Sequence, residues 1–243
     1  MGRTFLTLAA THRTRHDNHM ASHQFIFQGH TLEARGDGAL FWPAESMLIV
    51  SDLHLGKSER IARRGGSLLP PYETDDTLGR LDTAINQTNP AHVVCLGDSF
   101  DDLTAAGQLD ERHQTWITRL QAGRVWTWIE GNHDAGDTAF GGTHVAQLTH
   151  DGLIFTHIAT PKTGEISGHY HPKATINLRG RAVTRPAFLY DECHLMLPSF
   201  GTYTGGLKTT DPALSQLFTK TARAILTGPA PIEIPMPRWM ITR

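Results

Sequence analysis

SDLHLGK, residues 51–57, follows the short apolar run MLIV at Met47–Val50 and places Asp52 and His54 where that run ends. Four consecutive apolar residues bounded by polar ones predict a buried strand. Side chains two apart on a strand share a face, so a carboxylate and an imidazole are presented together at its carboxyl end. That is a ready pair of ligands for a divalent cation. A single D-x-H triplet is weak by itself. It gains weight from GDSFDD at 97–102, GNHD at 131–134, His157 closing the run GLIFT, and GHYH at 168–171.

Around these blocks the chain alternates. FIFQGHTLEARGDGALFW predicts two or three short strands joined by Gly-containing turns. After SDLHLGK, the stretch SERIARRGGSLLPPYE reads as a loop or interrupted helix because of its glycines and its Pro-Pro pair. Tyr72 to Asn86 predicts a helix with Thr74 near its start, AHVVCLGD a strand ending at Asp98, Leu109 to Leu120 a helix stopped by Gly123, and RVWTWIEGNHD a third strand. The second half carries short strands at close spacing: GLIFTH, ATINLRG, AFLYD, CHLMLPSF and ARAILT. The expected fold is therefore α/β, a four-layer sandwich of two mixed β-sheets packed face to face and flanked by helices. Residues 23–243 are expected to form one domain, residues 1–22 a disordered extension, the histidines of the first two dozen residues (His12, His16, His19 and His23) solvated passengers, and the Pro-rich tail an extended surface segment.

Composition narrows the function classes. The 243 residues suffice for one sizeable core, the net charge of -2 argues against a generally basic nucleic-acid coat, and no stretch approaches the roughly 20 apolar residues of a membrane span. Two cysteines far apart, Cys95 within an apolar strand, fit a reducing, cytoplasmic setting. Histidine is the informative excess, at 15 residues. Carboxylate, amide oxygen and four histidines at strand ends are too many ligands for one tetrahedral ion and about right for two ions sharing a bridge. Asp98 suits the bridge, because a carboxylate has two oxygens to share and the preceding glycine permits close approach. The donor set favours Mn, Fe or Zn over Ca or Mg.

The ordered set DLH, GD, GNHD, H and GHYH resembles the calcineurin-like metallophosphoesterase superfamily over roughly residues 47–171. The resemblance implies that Asp52, His54 and His171 hold one ion, that Asn132, His157 and His169 hold the other, and that Asp98 bridges. It also implies that His133 contacts the phosphate and protonates the leaving oxygen. LPSFGTYTGGL at 197–207, RGRAVTRPAF at 179–188 and EISGHYHPK narrow the likeness to the bacterial branch of ligase-associated DNA-damage-response endonucleases, PdeM. That branch implies two divalent ions, manganese foremost, DNA as substrate, and a DNA ligase or helicase as partner. Asp101 stands where many relatives are expected to carry histidine. It joins His133 and Asp134, a candidate for orienting that ring, as a catalytic candidate.

Lys57, Arg60, Arg63, Arg64 and Lys173 lie near the ligands in sequence and suit a polyanionic substrate, although a solvated loop explains the three arginines equally well. Trp126 and Trp128 read as packing rather than base-stacking residues, and Arg179, Arg181 and Arg185 as hairpin surface charge. Two alternatives stand beside a DNA phosphodiesterase: an enzyme for small nucleotides, and a metal-stabilised scaffold without activity.

Overall fold

The computed structural model describes residues 20–58, 72–101, 107–134, 136 and 140–238. The expected N-terminal extension up to residue 19 and the interrupted segment at 59–71, with Arg60, Arg63 and Arg64, lie outside the described residues.

One sheet has seven strands in sequence order: β1 (Ser22–Phe27), β2 (His30–Arg35), β3 (Leu40–Trp42), β4 (Met47–Val50), β5 (His92–Leu96), β6 (Val125–Ile129) and β7 (Thr143–Val145). The first four pair antiparallel and the last four parallel. The switch follows the connections. Tight turns join the early strands, whereas α1 (Glu73–Thr88) and α2 (Glu111–Gln121) lie between the parallel ones. The second sheet is built from β8 (Leu148–His150), β9 (Leu153–Phe155), β10 (Glu165–Ser167), β11 (Lys173–Leu178), β12 (Arg181–Tyr190), β13 (His194–Met196), β14 (Arg223–Leu226) and β15 (Ile232–Pro235). Its order is β15-β14-β12-β13-β10-β9-β8, with β11 paired to β12.

Strand alternation sorts the apolar residues into layers. Leu40, Ile49, Val94, Leu96 and Ile129 of the first sheet meet Phe155, Ile166, Phe188, Leu195 and Ile225 of the second. Leu48, Val50, Val93, Cys95, Trp126 and Trp128 face the other way, against Leu78, Leu81 and Ile85 of α1 and Ile117 and Leu120 of α2. The outer face of the second sheet, with Leu189, Met196 and Leu226, is covered by Leu214 of the short α3 (Pro212–Ser215) and by Phe218. The four-layer sandwich is thus the observed one, and both tryptophans are packing residues.

Three expectations are corrected. Thr74 lies inside α1, whose N-cap residue Tyr72 makes no side-chain cap bond; the Thr74 hydroxyl instead accepts the Gly56 N–H at 3.2 Å. His23 is no passenger, because its ring lies 2.7 Å from Glu233 on the second sheet. The tail is more than a surface strap. Residues 232–235 form edge strand β15, where Glu233 accepts from the Arg223 guanidinium at 2.6 Å and from the Tyr190 hydroxyl at 3.1 Å.

Candidate metal centre

β4 stops at Val50, so Asp52 and His54 are loop residues rather than strand residues. Both have left-handed backbones, at φ 53° and 47°. They share a side for a different reason from the one the alternation suggested. The Asp52 N–H donates to Gly97 O, His54 N–H to Asp98 O at 2.9 Å and Leu55 N–H to Ser99 O, continuing the ladder between β4 and β5 past the strand ends. Asp98, His169 and His171 are left-handed too, at 46°, 70° and 47°. Non-glycine residues adopt this conformation at a cost of order 1 kcal/mol each, and keep it where surrounding bonds over-determine the backbone.

Glycines let these loops close up. A Cβ on Gly168 would fall 1.8 Å from the Ser51 hydroxyl oxygen and 2.6 Å from Asp52 Oδ2. A Cβ on Gly131 would fall 2.2 Å from both the amide nitrogen and Oδ1 of Asp98.

The side chains so placed form two groups, Asp52 with His54 and His171, and Asp98 with His157 and His169. In the first, His171 Nε2 lies 3.1 Å from Asp52 Oδ1 and 3.4 Å from His54 Nε2. In the second, His157 Nε2 lies 3.3 Å from Asp98 Oδ2, 3.2 Å from His169 Nδ1 and 3.0 Å from the Asn132 side-chain oxygen. Donors about 2.1 Å from one cation are separated by roughly 3.0–3.4 Å in octahedral or tetrahedral arrangement, so this spacing fits divalent ions. Asp52 Oδ1 is fully buried and has no hydrogen-bond partner among the described residues, despite its closeness to His171. A buried carboxylate oxygen in that state fits a ligand atom.

Outer contacts fix the rings. His157 Nδ1–H donates to Leu96 O at 2.8 Å, turning Nε2 toward Asp98. His54 Nδ1 faces Asp101 Oδ1 at 3.1 Å, with both side chains buried. His133 is anchored twice: its backbone N–H donates to Asp98 Oδ1 at 2.9 Å, and its Nδ1 to the carbonyl of Asp101 at 3.0 Å. Its Nε2 then lies 4.0 Å from Asp98 Oδ2, on a ring that is one-third exposed. Asp134 does not orient that ring. Its carboxylate instead accepts the N–H groups of Asp98, Ser99, Phe100 and Gly131, which makes it a clamp on the Asp98 loop.

Electrostatics keep the Asp98 and Asp52 carboxylates charged. Burial raises the Asp98 carboxyl, but the hydrogen bond and charge of His157 outweigh it and bring the pKa down to about 2. For Asp52 burial again acts upward, and the nearby His171 and His157 charges with the Ser51 hydroxyl outweigh it, so its carboxyl ends lowered. For His157 burial acts downward, and the two aspartates reverse it. His169 ends below the ordinary imidazole value, through burial first and His157 second.

All seven sequence-derived ligand candidates therefore converge. Lys57 is half-buried at a helical turn three residues past His54, and Lys173 lies two residues past His171, its ammonium 3.4 Å from Thr204 O. The sequence reading missed the supports. Glu73, 2% exposed, accepts the Ser58 N–H at 2.9 Å and the Ser58 hydroxyl, holding the segment after His54. Ser199 Oγ and Gly201 N donate to Asp52 O. Only the glycines of LPSFGTYTGGL hinted at that close approach.

Residues 46–212 match the family model described as calcineurin-like phosphoesterase. The chain belongs to this family, and is accordingly a metal-dependent hydrolase of phosphoester bonds. A search of curated proteins finds no match. Among solved structures the chain is similar to the nuclease MPE of Pseudomonas putida, with 28% identity and a TM-score of 0.68, covering 87% of this chain and 100% of that one. A more distant likeness is to Yfce, a phosphoesterase from E. coli, with 14% identity and a TM-score of 0.38, covering 79% and 99%.

Proposed function

We propose that the protein is a dinuclear, manganese-dependent phosphodiesterase that cuts DNA. The observation carrying this reading is the pair of abutting ligand groups, His157 Nδ1 of one lying 4.0 Å from Asp52 Oδ1 of the other. Asp52, His54 and His171 would hold one ion, Asn132, His157 and His169 the second, with Asp98 shared. Two bound cations supply a nucleophile from water near neutral pH and neutralise the phosphoryl oxygens.

The chain's own groups do the rest. Leu96 O and the Asp101 carboxylate fix which nitrogens of His157 and His54 face inward. His133, with Nδ1–H donated to Asp101 O, keeps Nε2 for the substrate; in its imidazolium form it gives the Nε2 proton to the departing oxygen and is left as the neutral ring. Asp101 is thus a positioning residue, and Asp134 holds the Asp98 loop. DNA as the substrate is supported by the similarity to a nuclease over the length of that chain. A repair setting with a ligase or helicase nearby is supported by the narrower sequence resemblance, and a cytoplasmic one by the two free cysteines.

The test is hydrolysis of single- and double-stranded DNA and of bis(4-nitrophenyl) phosphate by metal-stripped protein given Mn, Fe or Zn. DNA cleavage restored by manganese and lost in His133→Ala and Asp98→Asn supports the proposal. Turnover of the small diester with every DNA intact overturns the nucleic-acid part.

A further inference from the structure

Beside the metal centre lies a cavity of about 460 Å³ that the catalytic reading leaves unused. Its walls come from the β2–β3 turn at Gly36–Gly38, from Arg80 and Thr83 of α1, from the loop after β14 at Thr227–Pro229, and from Lys173, Ser199 and Thr204. The two sheets order these walls. On the first sheet the β2–β3 turn precedes the loops after β4 and β5 that carry Asp52 and Asp98. On the second, the loops after β14 and β13 precede those after β10 and β9 that carry His169, His171 and His157. The cavity and the metal centre are therefore successive positions along one edge of the sandwich.

The segment at Ser199–Thr204 is the partition between them. It lines the cavity, while Ser199 Oγ and Gly201 N hold the Asp52 carbonyl from behind at 2.9 and 3.0 Å. On the far side of the metal centre a smaller hollow of about 290 Å³ is lined by Glu130, Asn132, His157 and Ile158.

The chemistry of the larger cavity is specific. Its apolar lining comes from Met20, two prolines and glycine backbone, and Thr83, Ser199, Thr204 and Thr227 add hydroxyls. Its carboxylate, Asp37, is neutralised by Arg35 at 2.7 Å, both side chains being about 5% exposed or less. Arg80 is partly neutralised by Asp76 at 3.2 Å. Lys173 forms no ion pair among the described residues; its ammonium reaches only the neutral carbonyl of Thr204. A hollow walled by apolar groups and hydroxyl residues, with Lys173, unpaired among the described residues, in its lining and a phosphoester-cleaving centre next to it, matches a nucleobase and sugar followed by a phosphate.

We infer that this cavity binds the nucleoside next to the scissile phosphate, with Lys173 on the following phosphate, so that one polynucleotide strand runs along the sandwich edge across the metal centre. This rests on the nucleic-acid reading above and deepens it, because it makes the enzyme selective for a strand over an isolated diester.

Two variants test it. Lys173→Ala removes the cation, and Thr83→Trp fills the cavity from an exposed position on α1, where a larger side chain does not disturb the core. In the manganese-loaded enzyme, each should lower kcat/KM for a single-stranded oligonucleotide about tenfold more than for bis(4-nitrophenyl) phosphate, mainly through KM. Lys173→Ala should also flatten the salt dependence of oligonucleotide kcat/KM by about 0.7 in log–log slope. Equal losses on both substrates, or no loss on either, overturn the inference while leaving the phosphodiesterase reading intact. Wild-type protein that turns over the small diester but no oligonucleotide overturns the nucleic-acid reading, and this inference with it.

Discussion

Asp101 and Asp134 show how neighbouring acids take different work from their contacts. Asp101 faces the Nδ1 of His54 and engages His133 through its carbonyl, so Asp101→Asn leaves the His133 contact intact and weakens the hold on His54. We expect a 10–100-fold loss of manganese affinity in a metal titration, with the fold unchanged, as is typical for loss of a partner behind a ligand. Asp134→Ala strips the acceptor from four backbone N–H groups and should cost more than ~3 kcal/mol in urea unfolding. Asp191 gives a pH test remote from the metal centre. Burial raises its carboxyl, but N–H donors from Thr219, Cys193 and His194 outweigh that and leave its pKa below the ordinary 3.8. A carboxylate depressed on folding stabilises the protein above its unfolded pKa, and that stability is lost as pH falls through the depressed value. The stability advantage of wild type over Asp191→Asn should therefore be full at neutral pH and shrink in acid, measured by urea midpoints.

At the level of elements, the ligand-bearing loops are fixed by the segments pressed against them. Gly168→Ala would drive a methyl group into Ser51 and the Asp52 carboxylate. It should abolish diester turnover while leaving far-UV circular dichroism near wild type, because the clash is confined to the loop after β10. The blocks at Asp52, Asp98, Asn132 and His157 were legible in sequence because each terminates an apolar run, whereas GHYH, which follows the mixed EIS of β10, was legible only as a motif; the converging residues are the ones those blocks named. Their conformation was not. Alternation along a strand predicted that Asp52 and His54 share a face, whereas left-handed turns beyond the strand place them. Nothing in a single residue's neighbours announces a turn that long-range bonds to Gly97 and Asp98 enforce. The clamp formed by Glu73 and the edge strand at 232–235 were hidden for the same reason: their partners lie 15 residues away in one case and on a different strand in the other.

For the molecule as a whole, two sheets bring loops from residues 52 to 171 to one edge, and the four-layer order was readable from the change from strand–helix alternation to closely spaced strands. The proposed chemistry depends on that edge holding a pair of cations rather than one. The number of manganese ions bound per metal-stripped chain, counted by calorimetric titration for wild type and for Asp98→Asn, tests this most directly. Two ions in the wild type and at most one tightly bound in the variant is the predicted result. A wild-type chain that binds one ion or none, or a variant that still binds two as tightly, would contradict it.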